Sequence, residues 1–175
     1  MSEGGAVTGS VTEFRQSLSD LDTPTTVVPP DELGATLADV IEAPAVGAEL
    51  PFDDLSLADA PVTLDPSPSQ LRAAATGVTG SRMGIASLGT VAVESRADGD
   101  EFVGLYPSRH VVVIRASDIR TDLSEAFDWL RAEFAAGRRS FVLATGPSST
   151  GDMGALVQGV HGPEEVHIVI IRDNE

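Results

Sequence analysis

The sequence predicts an α/β domain with a mostly parallel central sheet and helices on both faces. Three observations lead there. Residues 110–114 (HVVVI), 140–145 (SFVLAT) and 166–171 (VHIVII) are short apolar runs bounded by turn residues, as strands buried on both faces read. Between the first two lies a stretch of helical periodicity over 123–136, so strand, helix and strand read as a right-handed βαβ unit with parallel strands. The length of 175 residues fits one domain.

Taken in order, residues 1–9 read as a loose, flexible terminus. Ser10-Val-Thr-Glu13 has the capping-box pattern, and Val11, Phe14, Leu18 and Leu21 follow at helical spacing, which predicts a short amphipathic helix over 11–21. Residues 25–28 (TTVV) form a β-like run closed by Pro29 and Pro30. Leu33, Leu37, Val40 and Ile41 predict a second helix, with Pro44 beyond its end. A weak strand is expected at 45–50, then a surface loop over 51–69 with one brief strand at 62–64. Ser67-Pro-Ser-Gln70 is a second capping box with proline at the favoured first helical position, opening a short helix to about Ala75.

Residues 76–89 are rich in glycine and hydroxyls and read as a loop before a strand at 90–95. RADGDE at 96–101 reads as a hairpin turn on the strength of its Asp-Gly pair, with 102–106 pairing back. Asp122-Leu-Ser-Glu125 opens the strongest helix in the chain. Leu123, Ala126, Phe127, Leu130 and Phe134 share one of its faces, with Phe127 at the centre, so that face is expected to be buried; Gly137 is a natural stop.

Charge narrows the function classes. The formal net charge is −16, and all 11 basic residues are arginine. Such a surface works against binding nucleic acid or an anionic membrane. It suits molar salt, where repulsion among carboxylates is screened within about 3 Å, and so favours a salt-loving, haloarchaeal source, the alternative being an acidic protein from a high-GC genome. The absence of cysteine excludes disulfides, a thiol nucleophile and a thiolate-held iron–sulfur cluster within this chain. No apolar run approaches the ~20 residues of a membrane-spanning helix. Residues 1–10 lack the apolar core of a leader, so a soluble, cytoplasmic protein is expected. No metal-ligand spacing, Ser-His-Asp order or cofactor motif occurs.

Residues 146–163, GPSSTGDMGALVQGVHGP, hold the densest chemistry. An ordinary connection between strands runs to about 4–6 residues, and longer ones are often functional. Two Gly- and hydroxyl-rich segments, this one and 76–90, are expected to meet at the carboxyl edge of the sheet and form an anion pocket. Its candidate ligand-binding residues are Gly146, Ser148, Thr150 and Gly159, with Thr76, Thr79, Gly89, Thr90 and His110 from the upstream part. Asp152 and His161 are the candidate acid–base pair; capping a helix and structuring the loop are equally open roles for them. Arg82 or Arg109 could add charge, a solvated side chain being the more ordinary reading of Arg82, and His167, inside an apolar strand, reads as packing.

The same string resembles the signature of the LUD-domain family, of the LutC/YkgG type associated with lactate utilisation, which reads GPSRTADIE, then GVHGP and a final strand. TGVTGSRMGIASLGTVAVE at 76–94 resembles a second signature of that family, with GITGAD-like and IADTGT-like pieces before a strand. Pro107-Ser-Arg-His110 before VVVI resembles a third. The resemblance runs in order over about residues 70–171 and implies one LUD-like domain over 10–175. It also implies a fold similar to the NagB/RpiA/CoA-transferase group, whose members bind phosphosugars, folates or CoA esters. It further implies an accessory subunit in the oxidation of lactate to pyruvate, beside iron–sulfur partners. A stand-alone enzyme or sensor for a small anionic ligand (sugar phosphate, CoA ester or carboxylate) is the alternative. The chain departs from the family pattern at Ser149, where arginine is usual, at Gly154, where glutamate is usual, and at Ser87-Leu88, which replaces an acidic-Thr pair. Glutamate is the nucleophile of CoA transferases, and neither Gly-rich stretch supplies one; Glu94 is the nearest.

Overall fold

The structure, a computed structural model, describes residues 3–152, 155–159 and 161–173; for 3–9, 150–152 and 155–158 it describes the backbone. The elements in order are α1 (Glu3–Ser19), β1 (Thr25–Val28), α2 (Leu33–Val40), β2 (Ala45–Gly47), β3 (Thr63–Leu64), α3 (Pro68–Ala73) and β4 (Thr76–Ser81). There follow β5 (Gly84–Ile85), β6 (Thr90–Glu94), α4 (Asp100–Leu105), β7 (Arg109–Arg115), β8 (Ile119–Arg120) and α5 (Leu123–Ala135). The last are β9 (Phe141–Thr145), β10 (Ser149–Asp152), β11 (Ala155–Gln158) and β12 (Glu165–Ile171).

The central sheet has the order β1-β12-β7-β4-β2-β3, and every neighbouring pair is parallel. Its two longest strands alternate between two cores. Val112, Ile114, Ile168 and Ile170 point to one face, where Phe14 and Leu18 of α1 pack. Val111, Val113, Val169 and Ile171 point to the other, against Leu33 and Leu37 of α2. Burial on both faces is why these strands read as unbroken apolar runs. The expected α/β class, with a parallel sheet flanked by helices, is what forms. A second sheet, β8-β5-β6-β9, is mixed, and β10 and β11 make an antiparallel hairpin.

Five local expectations are corrected. Helix α1 starts at Glu3, so it includes residues expected to be a loose terminus, and Ser10 lies inside it rather than capping it. Residues 76–81 are not loop: they form β4, a buried strand at the heart of the sheet. Glycine is needed there for close approach. A Cβ at Gly77 would lie 1.9 Å from the Val103 carbonyl oxygen, and one at Gly80 would lie 2.2 Å from Pro51 Cδ. The Asp-Gly pair at 98–99 does not turn a hairpin. Gly99, at φ 76°, opens α4 instead, and Arg96 clamps the buried Asp100 of its first turn.

The βαβ unit is also absent. Both edges of β7 are taken by β12 and β4, and β9 pairs antiparallel with β6 in the second sheet. Helical periodicity told which segment was a helix, not which strands would become neighbours. Finally, Phe127 is 57% exposed and Phe134 and Leu123 are exposed too, while Ala126 and Glu133 face inward. Ala126, on the expected face, does pack inward, in an apolar cluster with Met83, Ile85 and Ala92 on which Trp129 lies. Arg82 and Arg138 both bind the Glu133 carboxylate, Arg82 at 2.5 Å, and Arg82 also lies over the Trp129 ring. That ion network pairs the buried Glu133 carboxylate beside the apolar cluster, on the side of α5 away from Phe127. The capping box at Ser67 forms as expected: Gln70 Oε1 accepts the Ser67 N–H at 2.9 Å and Ser67 Oγ accepts the Gln70 N–H.

Candidate functional site

A cavity of about 230 Å³ opens between the two sheets. Strand β9 gives one wall through Val142, Leu143, Ala144 and Thr145, and α4 gives another through Glu101, Gly104 and Leu105. The first residues of β7 and β12 contribute His110 and Val166, and the downstream loop contributes Gly146, Pro147, Ser148 and His161. The cavity therefore sits at the amino ends of the central strands, since Thr76, Arg109 and Glu165 stand level at that edge. The expected place was the carboxyl edge. The shift goes with β9: paired to β6 in the second sheet, its last residues and the loop after it line the cavity together with the start of β12.

His110 is fully buried, with Nε2 2.8 Å from Thr79 Oγ1. Burial pushes its pKa down to about 4, so the imidazole is neutral at pH 7. Its ring packs where a side chain on Gly104 would stand; a Cβ there would lie 2.9 Å from Cε1. Thr90 and Thr145 join their hydroxyls at 2.7 Å between β6 and β9. Gly146 takes φ 65° as the chain leaves β9, a conformation glycine adopts without steric cost.

Four of the expected residues thus line one cavity: Gly146, Ser148, His110 and His161. Thr79 and Thr90 stand behind it, holding His110 and Thr145. The others lie elsewhere. Thr76 Oγ1 accepts the Glu42 N–H at 2.9 Å and ties down the end of α2. Gly89, at φ 62°, closes a turn against Leu18 and Leu21 of the α1 segment. Gly159 makes room for Glu164, whose Cγ would lie 2.2 Å from an added Cβ. Thr150 and Asp152 belong to β10, but their side chains lie outside the described residues, as does all of Gly154.

An open nest of N–H groups does not form at Ser148 and Gly159. The Ser148 N–H donates to the Pro163 carbonyl at 2.8 Å, and the Gly159 N–H donates to the Ser148 carbonyl at 3.0 Å. Residues 149–152 pair with 155–158. Neither candidate arginine reaches the cavity. Arg82 is held by Glu133 and Glu94, and Arg109 by Glu165, Glu42 and the Val40 carbonyl. His167 pairs with Thr26 at 2.8 Å, in keeping with a packing role. The residue the sequence reading missed is Glu101. Its signal was the acidic pair after Gly99, which suits the first turn of a helix as well as a hairpin.

A larger cleft of about 510 Å³ shares Pro147 and Val166 with this cavity. It is rimmed by the carboxylates of Asp22, Asp39, Glu164 and Glu165, and its arginine, Arg109, is already paired. The smaller cavity is the better candidate because polar groups converge there within an apolar lining. Among the described residues, no group of three or more His, Asp or Glu is placed to hold a metal ion, and no helix is long and apolar enough to cross a membrane.

A family model described as the LUD domain matches residues 68–171, which span the cavity's walls. Lactate utilization protein C of Bacillus subtilis is 32% identical over 101 residues, covering 55% of this chain and 42% of that protein. The protein of the same name from Deinococcus radiodurans is 30% identical over 96 residues, covering 54% and 45%. The chain thus spans less than half the length of these relatives. The Macrococcus caseolyticus protein of that name is 25% identical over 178 residues, covering 91% of this chain and 77% of its own. The crystal structure of a DUF162 family protein from Deinococcus radiodurans has the same fold, with a TM-score of 0.71 at 21% identity, covering 94% of this chain and 98% of that one.

Proposed function

We propose, since the chain belongs to the LUD-domain family, that it serves as an accessory protein in lactate utilisation, beside iron–sulfur subunits that carry the electrons of lactate oxidation to pyruvate. The family match over 68–171 carries this reading. The relatives named for lactate utilisation support it. A chain with no cysteine has no thiolates to hold a cluster, which fits a role beside other subunits as the electron carriers. Within this role the cavity binds a small carboxylate, with Ser148 and the exposed His161 at its mouth. If the ligand is turned over, His161 and Asp152 are the acid–base pair. The all-parallel central sheet with helices on both faces supports the finer likeness to the NagB/RpiA/CoA-transferase group, and a cytoplasmic location belongs to the same proposal. Deleting the gene is expected to abolish growth on lactate while sparing growth on pyruvate, with the wild-type copy restoring it. Undiminished growth of the deletion strain on lactate would overturn the reading.

Adaptation to molar salt is a second part of the proposal, supported by the −16 charge and the absence of lysine. Carboxylate repulsion opposes compaction until it is screened. The melting temperature is expected to climb steeply from dilute buffer to molar KCl. A melting temperature that stays flat over that range removes this part.

A further inference from the structure

The geometry points to Glu101 as the residue that selects the cavity's ligand, by accepting a hydrogen bond from a hydroxyl the ligand must carry. The assignment rests on the cavity being the ligand site proposed above. Glu101 stands in the first turn of α4 and lines the cavity with His110, Thr145 and Ser148. Its Oε2 is cut off from solvent and takes no hydrogen bond, the one side-chain atom of that kind among the described residues. A buried acceptor without a donor is costly, and native folds keep few of them.

No donor of the lining bonds to it. No arginine lines the cavity, and the chain has no lysine. The buried His110 turns its Nε2 to Thr79, and the Thr145 hydroxyl pairs with that of Thr90. Leu105, Val142, Leu143 and Val166 make the rest of the wall largely apolar. A fitting ligand is a short aliphatic acid with a hydroxyl. The aliphatic part meets the apolar wall, the hydroxyl donates to Glu101, and the acid group stays at the mouth near Ser148 and His161, away from the Glu101 charge. A site built to accept a hydroxyl rejects the analogue that lacks it, because its own polar group is then left unpaired.

Calorimetry with lactate and with propionate, which lacks the hydroxyl, tests this on the wild type, Glu101→Leu and Glu101→Gln. The wild type is expected to favour lactate by about 10- to 100-fold, the span of one hydrogen bond to a charged group. Glu101→Leu should lose the preference while still binding propionate, and Glu101→Gln should keep part of it. Melting without ligand adds a second readout: Glu101→Leu should melt higher than the wild type, because an unsatisfied buried carboxylate has gone. Equal binding of the two acids by the wild type, an unchanged preference in Glu101→Leu, or a lower melting temperature for that variant each overturns the Glu101 assignment alone. Binding of neither acid to the wild type overturns the cavity as the carboxylate site, and with it the hydroxy acid as its ligand.

Discussion

Replacing Phe14 with alanine is expected to lower stability by about 3–5 kcal/mol, the usual cost of emptying an aromatic site in a core. Phe14 is fully buried and joins α1 to the central sheet, in one cluster with Val112, Ile114 and Ile168. Its ring tip reaches the backbone of β5, where Cζ lies 3.3 Å from the position of a Cβ on Gly84. Neighbours that sit on strands of two sheets cannot close over the void without moving both. Phe127 is the matched control. At 57% exposure on α5, its truncation should cost within about 0.5 kcal/mol, as at other surface sites. Urea titration of both variants at one salt concentration decides the matter, and a Phe14→Ala loss under about 1 kcal/mol would mean that α1 is not docked on this face.

The second large effect is on pH dependence. Burial holds the His110 pKa at about 4 against an ordinary 6.5, so between those values the unfolded chain takes up a proton that the folded chain refuses. Stability from this group is therefore whole above pH 6.5 and falls as the pH drops, by about 2 kcal/mol at pH 5 and about 3 kcal/mol at pH 4. Two carboxyl groups act in the same range. Asp118, raised to about 6 by burial, works in the opposite sense, because the folded state holds its proton longer. Glu133, held at about 2 by Arg138 and Arg82, withdraws stability as the pH falls below about 4.5. The His110 share is read by difference. Between pH 7 and pH 5 the wild type should lose about 2 kcal/mol more than His110→Asn, and equal losses would show that the imidazole is hydrated when folded.

What was legible in the sequence was whatever depends on neighbours along the chain. The strands at 110–114 and 166–171, the cap at Ser67 and the helix after Asp122 all followed from local period and local hydrogen bonding. Partners distant in sequence were not legible. Nothing in SFVLAT says that β9 will pair with β6 and not with β7, and with that choice the candidate site lies at the opposite edge of the sheet from the one expected. Nothing in TGVTGS says strand, because its glycines answer to Val103 and Pro51 from other parts of the fold. The cavity itself was half legible. The loop supplied Gly146, Ser148 and His161 by composition, but Glu101 entered only through a helix that the Asp-Gly signal concealed.

The position of β12 has a consequence for how the chain assembles. This strand, formed by residues 165–171, lies between β1 and β7, and β1 has no other partner in the sheet. Until β12 is in place β1 has no strand to pair with in this sheet, and the backbone groups along one edge of β7 stay unpaired. Closure joins residues about 140 positions apart, and such long-range pairings are slow to form. Docking of β12 thus completes the sheet, and it adds Ile168 and Ile170 to one core and Val169 and Ile171 to the other.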